Sequence, residues 1–158
     1  MSKCMTEPYR SQISHSTLFS NVSLEGMSHL LESCPLKKLA QGDVLLAPGQ
    51  NNDKLYLVLS GSLGVHLASP AKPAFLTLGP GECAGEISIL TETTATASVI
   101  ATEDCVLLVI KQATLWAMIR ISHGLARNLL HVLARRLQHN NKVIAESVDA
   151  RTAQNPTK

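Results

Sequence analysis

The apolar residues change their spacing as the chain proceeds. Leu18, Phe19, Val22, Leu24, Met27, Leu30 and Leu31 recur at mostly helical spacing, which predicts one or two short helices ending before Pro35. From Leu36 to Ile110 the pattern becomes a series of brief apolar runs: LKKLA, VLLA, KLYLVLS, LGVHLA, AFLTLG, ASVIAT and CVLLVI. Turn signals separate them, among them Gln41-Gly42-Asp43, Pro48-Gly49-Gln50, Asn51-Asn52-Asp53, Ser60-Gly61-Ser62 and Gly79-Pro80-Gly81. Short runs at such even spacing predict the strands of an antiparallel sandwich or barrel. KLYLVLS is apolar on most of both faces, as expected of an interior strand.

Helical spacing returns at Lys111, where Leu115, Met118 and Ile119 give one apolar face before Gly124 interrupts. Leu125 to Ala145 then reads as a long helix with two stripes. Leu130, Leu133, Leu137, Asn140 and Ile144 follow the alternating three-four spacing of a coiled-coil seam, while Leu125, Leu129 and Val132 form a neighbouring stripe suited to packing on the β-domain. A helix apolar on two faces needs two partners. A second copy of the chain is the natural other one, giving a parallel homodimer with Asn140 as a polar register residue; a monomer with one wide stripe is the alternative. The first residues and the stretch from Glu146 are polar and aperiodic, so the folded domain is placed at 13–145, between a flexible N-terminus (1–12) and a flexible tail (146–158).

Composition narrows the class. A chain of 158 residues is long enough to bury a core, and with aromatics at only 3% that core rests on Leu, Val, Ile and Ala. A net charge of +2 is too small to argue for nucleic acid by itself. No apolar run approaches the roughly 18 residues of a membrane helix, and no secretory h-region opens the chain, so a cytoplasmic protein is expected. Cys4, Cys34, Cys83 and Cys105 lack metal or redox spacing and read as free thiols, with a Cys83–Cys105 pairing left open.

One stretch carries candidate chemistry: GECAGEISILTETTATASV, Gly81 to Val99. Gly85 permits close backbone approach, and a helix starting near Glu86 would offer free N–H groups and a positive dipole end to an anion. A carboxylate at a helix N-terminus is also what the dipole alone favours. The stretch contains no cation, and no Lys or Arg occurs between Lys72 and Lys111.

The order of these elements resembles the cyclic nucleotide-binding domain family, in particular the sensor domain of the Crp/Fnr regulators. LAQGDVLLAPGQNNDKLYLVLSGSLGV (Leu39 to Val65) resembles the family's glycine-punctuated pattern, and LGPGECAGEISILTETTATASVIAT (Leu78 to Thr102) its phosphate-binding cassette, G-x-x-F-G-E-[LI]-x-[LI]-L…R-[TSA]-A-[TS]-V. ARRLQ (Ala134 to Gln138) is similar to the start of the dimerising helix. The resemblance implies an α+β, mainly β fold: an antiparallel, jelly-roll-like β-roll with an N-terminal helix and a long C-terminal dimerisation helix carrying Leu130, Leu133, Leu137 and Ile144. It implies a ligand site at Gly85, Glu86, Ile87, Ser88, Ala95, Thr96 and Ala97, with cAMP or cGMP as ligand. Glu86 would accept from the ribose 2′-hydroxyl, and Thr96 and the Ala97 amide would meet the phosphate. Asn140 and Asn141 would reach the purine. Two departures stand out. Ala95 occupies the position of the family's phosphate-pairing arginine, and Ala84 that of the usual aromatic. Lys72, Arg127 or Arg135 could supply a cation from outside the cassette.

The remaining classes are set aside on the residues. Arg127, Arg135, Arg136 and Lys142 read as a solvated helix face, and the 13 residues from Glu146 to Lys158 are too few for a winged helix, so direct DNA binding is not expected. His15, His29, His66, His123, His131 and His139 do not cluster with carboxylates, so no metal site is expected, and no hydrolase or Walker motif appears, so no catalytic residues are assigned. The sequence therefore predicts a homodimeric sensor that passes a ligand signal to an effector protein. The competing reading is a ligand-independent dimerisation module that kept the fold.

Overall fold

In the computed structural model, which describes residues 6–67 and 69–154, each predicted apolar run supplies a strand. The strands are β1 (Leu36–Leu39), β2 (Val44–Leu46), β3 (Lys54–Ser60), β4 (Leu63–His66), β5 (Leu76–Leu78), β7 (Ser98–Ala101) and β8 (Cys105–Lys111). An additional two-residue strand, β6 (Cys83–Ala84), had no signal of its own because it is too short to show alternation. They form two four-stranded antiparallel sheets, ordered β1-β8-β3-β6 and β2-β7-β4-β5, which face each other as a β-roll.

β3 lies between β8 and β6, and its alternation sorts the core into two layers. Leu55, Leu57 and Leu59 face the helices, packing with Phe19, Met27, Leu108, Ile110, Leu115, Met118, Leu125 and Leu129. Tyr56 and Val58 face inward between the sheets, with Leu63, Leu78, Ala95, Val99, Leu107 and Val109. Both faces are dry, which is why the strand reads as continuously apolar. Cys34, Cys83 and Cys105 are free and buried, which settles the open Cys83–Cys105 pairing; Cys4 lies outside the described residues.

The helices depart from the sequence reading at their ends. Regular helix appears at α1 (Arg10–His15) and α2 (Ser28–Glu32), while residues 18–21 form a turn and 22–24 are irregular. Asn21 sits there at φ 56°, a left-handed conformation that interrupts a helix. α1 falls partly within the segment read as flexible, where residues 1–5 lie outside the described residues. After the short α3 (Glu86–Thr91) and β7–β8 come α4 (Gln112–Ile121) and α5 (His123–Gln154). The break between the last two is at extended Ser122, not at Gly124. α5 also runs beyond Ala145 instead of giving way to a loose tail. A Lys142–Glu146 pair and hydroxyls of Ser147 and Thr152 bonded to the preceding turn accompany the extra turns; residues 155–158 lie outside the described residues.

α5 is seated on the roll by Leu125, Leu129 and Val132, the stripe expected to do so. A buried Asn128 adds a polar anchor: its amide donates to the carbonyls of Leu18 (2.9 Å) and Ser20 (2.7 Å), satisfying groups that the turn leaves unpaired. Leu57, fully buried on β3, tests the helix-facing layer. Leu57→Ala should cost about 2–5 kcal/mol in urea unfolding, by lost transfer energy plus the cavity left behind.

Candidate functional site

The site is assembled where α3 meets α5. Gly85 precedes α3 at φ +90°, and a Cβ there would lie 2.4 Å from the Lys54 carbonyl oxygen and 2.8 Å from Asn52 Nδ2. Asn52, unremarked in the sequence except as part of a turn, donates to the Lys54 carbonyl at 2.7 Å and to that of Gly85 at 3.3 Å. Gln112 donates to the Ile89 carbonyl at 3.1 Å and ties down the end of α3. The backbone at Gly85 is thus crowded against the start of β3, and this crowding aims Glu86 inward.

Glu86 is 1% exposed. Its Oε1 accepts from Arg136 of α5, and the same guanidinium donates to the Cys83 carbonyl. The second carboxylate oxygen, Oε2, is buried with no hydrogen-bond partner. The sequence places Arg136 on a solvated face; the structure corrects this, putting it largely inside, at 20% side-chain exposure. Burial pushes its guanidinium below the ordinary value, with neighbouring Cys83 and Glu82 working in the opposite direction. Burial likewise holds the Cys83 thiol above its ordinary value despite Arg136. The signal that could have found Arg136 is its position seven residues after Leu129 and four after Val132, on the roll-facing stripe.

The other predicted site residues are spread around this pair. Ser88 is buried, Ile87 is 44% exposed, Thr96 is exposed and Ala97 half-buried. Ala95 is buried in the layer between the sheets, and both its backbone groups are used: N–H to the Gln50 carbonyl and C=O from the Gly49 N–H, each at 2.8 Å. Asn140 and Asn141 are exposed one turn beyond Arg136 and make no side-chain hydrogen bond to a described residue. α3 is only six residues long, so its dipole offers little to an anion.

Of the outside cations proposed from sequence, Lys72 and Arg127 are exposed, and Arg135 lines a hollow of about 170 Å³ with Thr17, Leu76, Glu82, Val132 and Arg136. His139 completes that hollow, its Nε2 donating to the Phe75 carbonyl at 3.2 Å with the two rings edge to face. On the far side of α5, Leu130, Leu137, Ile144 and Val148 are 66, 61, 60 and 56% exposed, and Leu133 is half-buried. Among the described residues no group of three or more His, Cys, Asp or Glu could hold a metal ion, and no helix is long and apolar enough to cross a membrane.

A β-roll closed by a long helix, with a buried carboxylate beneath that helix, agrees with the family resemblance, and comparison with known proteins establishes it. The model of the cyclic nucleotide-binding domain matches residues 36–122, more than half of the chain. This chain belongs to the cyclic nucleotide-binding domain family. It is 36% identical over 126 residues to the cyclic AMP receptor protein of Thermus thermophilus, covering 78% of this chain and 58% of that protein. It is 32% identical over 100 residues to a cAMP-dependent protein kinase regulatory subunit of Yarrowia lipolytica, covering 60% and 24%. The crystal structure of the Thermus thermophilus catabolite activator protein superimposes with a TM-score of 0.72 at 31% identity, over 84% of this chain and 63% of that one. The chain thus spans less than two thirds of the length of these relatives, which are receptor and regulatory proteins.

Two substitutions test the geometry. Gly85→Ala should destabilise by about 1–3 kcal/mol, since a side chain there meets both an unfavourable φ and the Lys54 carbonyl; thermal unfolding measures it. Arg136→Ala should cost about 3–5 kcal/mol by leaving Glu86 buried without its cation, and Glu86→Ala added to it should recover part of that loss. Strict additivity in the double-mutant cycle would contradict the pairing.

Proposed function

We propose that the chain is a homodimeric sensor domain whose ligand engages Glu86 and whose output is carried by α5. The observation that supports this most directly is the buried, unpartnered Oε2 of Glu86. A carboxylate oxygen held out of water is destabilised until a donor reaches it, and a ribose hydroxyl is such a donor. Its other oxygen is held by Arg136, so a ligand arriving at Glu86 acts directly on the helix that closes the roll. The relatives named above, a cyclic AMP receptor and a cAMP-dependent regulatory subunit, make a nucleotide-like ligand the natural class.

Dimerisation is supported by the exposed stripe on α5. Leu130, Leu137 and Ile144 recur every seven residues, and Asn140 lies on the same seam. A single apolar residue in water is ordinary, but a heptad row of them on one helix is a surface made for a partner. A second copy presents the same row.

A panel of cyclic nucleotides and nucleosides in a thermal-shift assay tests the reading. At least one ribose-bearing compound should raise the unfolding temperature, corresponding to about 2.7 kcal/mol at one hundred times its dissociation constant. Glu86→Gln should abolish the shift. Silence across the whole panel would favour the second reading, a ligand-independent dimerisation module, which the lack of any Lys or Arg in residues 73–110 supports. Sedimentation tests the dimer separately: the natural chain should run at twice its chain mass and Leu137→Lys at the monomer mass.

A further inference from the structure

Resting on the reading that Glu86 meets the ligand, we infer that the site takes an uncharged ribose-bearing ligand, a nucleoside, in preference to a cyclic nucleotide phosphate. The inference comes from counting charge around the buried pair. Glu86 contributes one negative charge and Arg136 one positive charge, and the two are already joined. A neutral ligand leaves that balance at zero. A cyclic phosphate adds a second anion to a place holding a single cation. If Arg136 swings to the phosphate, Glu86 is left buried without a counter-charge; if it stays, the phosphate gains no cation from the pair.

Among the described residues, no cation other than Arg136 is joined to Glu86. Residues 73–110 contain no Lys or Arg. Lys54, whose carbonyl abuts Gly85, has its ammonium on Asp53 at 2.9 Å. Arg135 and Glu82, both exposed, line one hollow; their charges sum to zero there, and no ion pair joins the two. The Ala95 amide is bonded to Gln50 and cannot turn to an anion without breaking that contact. The Thr96 hydroxyl can hydrogen-bond an oxygen but cannot cancel its charge. What the pair does present is Oε2, which accepts a hydroxyl proton equally well from a neutral sugar. The hollow beside Arg136, about 170 Å³, is walled by Leu76 and Val132 as well as polar groups.

Calorimetric titration of the full chain with adenosine, guanosine, their 3′,5′-cyclic phosphates and 2′-deoxyadenosine tests this. A nucleoside should bind at least about tenfold more tightly than its own cyclic phosphate, and loss of the 2′-hydroxyl should weaken it by about tenfold or more. A cyclic phosphate that binds as tightly as its nucleoside overturns the inference while leaving the Glu86 reading intact. Equal binding of adenosine and 2′-deoxyadenosine overturns the Glu86 reading as well, and absence of all binding overturns both. Ala95→Arg should move the preference toward the cyclic phosphate. Because Ala95 is buried, Thr96→Arg on the exposed neighbouring position serves if the first variant does not fold. An unchanged order of affinities in a folded arginine variant counts against the inference.

Discussion

A carboxylate buried to 1% exposure cannot be left uncompensated, and Glu86 is such a group. Its compensation comes from Arg136, which belongs to a different part of the chain, 50 residues away. For the guanidinium to arrive, α5 must lie across the open side of the roll at a definite position along its axis. Leu125, Leu129 and Val132 hold it there through apolar contact, and Asn128 pins the same turns through the Leu18 and Ser20 carbonyls of the turn after α1. The ion pair is not where the stability of this junction comes from, since pairs of this kind gain little over well-packed apolar groups. Its consequence is specificity. A helix seated elsewhere along its axis would carry Arg136 away and leave the Glu86 carboxylate buried without a cation.

That same helix carries an unpaired apolar row on its outer side. Inner and outer faces therefore belong to one rigid element of 32 residues, with Arg136 on the first and Leu137 next to it on the second. Under the proposed reading, anything that alters the contact between Glu86 and Arg136 acts on the element that presents the dimer surface. A ligand shifts such an arrangement only by as much as it prefers one position of α5 over another. The unpaired Oε2 offers a source of preference, because a donor placed there weakens the hold of Arg136 on the carboxylate and makes other seats for the helix less costly.

The fold was largely legible because its strands are short and its turns are chemically marked. β3 announced itself as interior, and β1, β2, β4, β5, β7 and β8 fell within the expected runs. What escaped was set by long-range contacts. β6 is two residues long and exists because Tyr56 and Leu57 pair with it. α1 emerged from a polar stretch because Ile13 is buried against the helical side of the roll. The candidate site was legible on one side only. Gly85 and Glu86 stood out through local chemistry, but Arg136 looked like one of several basic residues on a solvated helix, and its burial follows from where α5 docks. Asn52 was hidden for the same reason: a turn residue in sequence, it becomes a support for Gly85 once β3 and α3 are brought together.

Ala95 shows how core packing and ligand chemistry constrain each other. It lies in the layer between the sheets with Tyr56, Val99 and Val109, and its amide and carbonyl bridge to the Gly49–Gln50 turn. A small apolar residue closes that layer without leaving a polar end to satisfy. A long cation there would have to leave the layer to find an anion, and in the absence of one it would be a second buried charge. The joined pair Glu86–Arg136 carries no net charge, and Ala95 adds none. Adding an anionic ligand disturbs that balance unless a cation comes with it, whereas a hydroxyl donor meets the one polar atom there that lacks a partner. Under the inferred ligand preference, the local demand at this place is for a hydrogen, not for a charge.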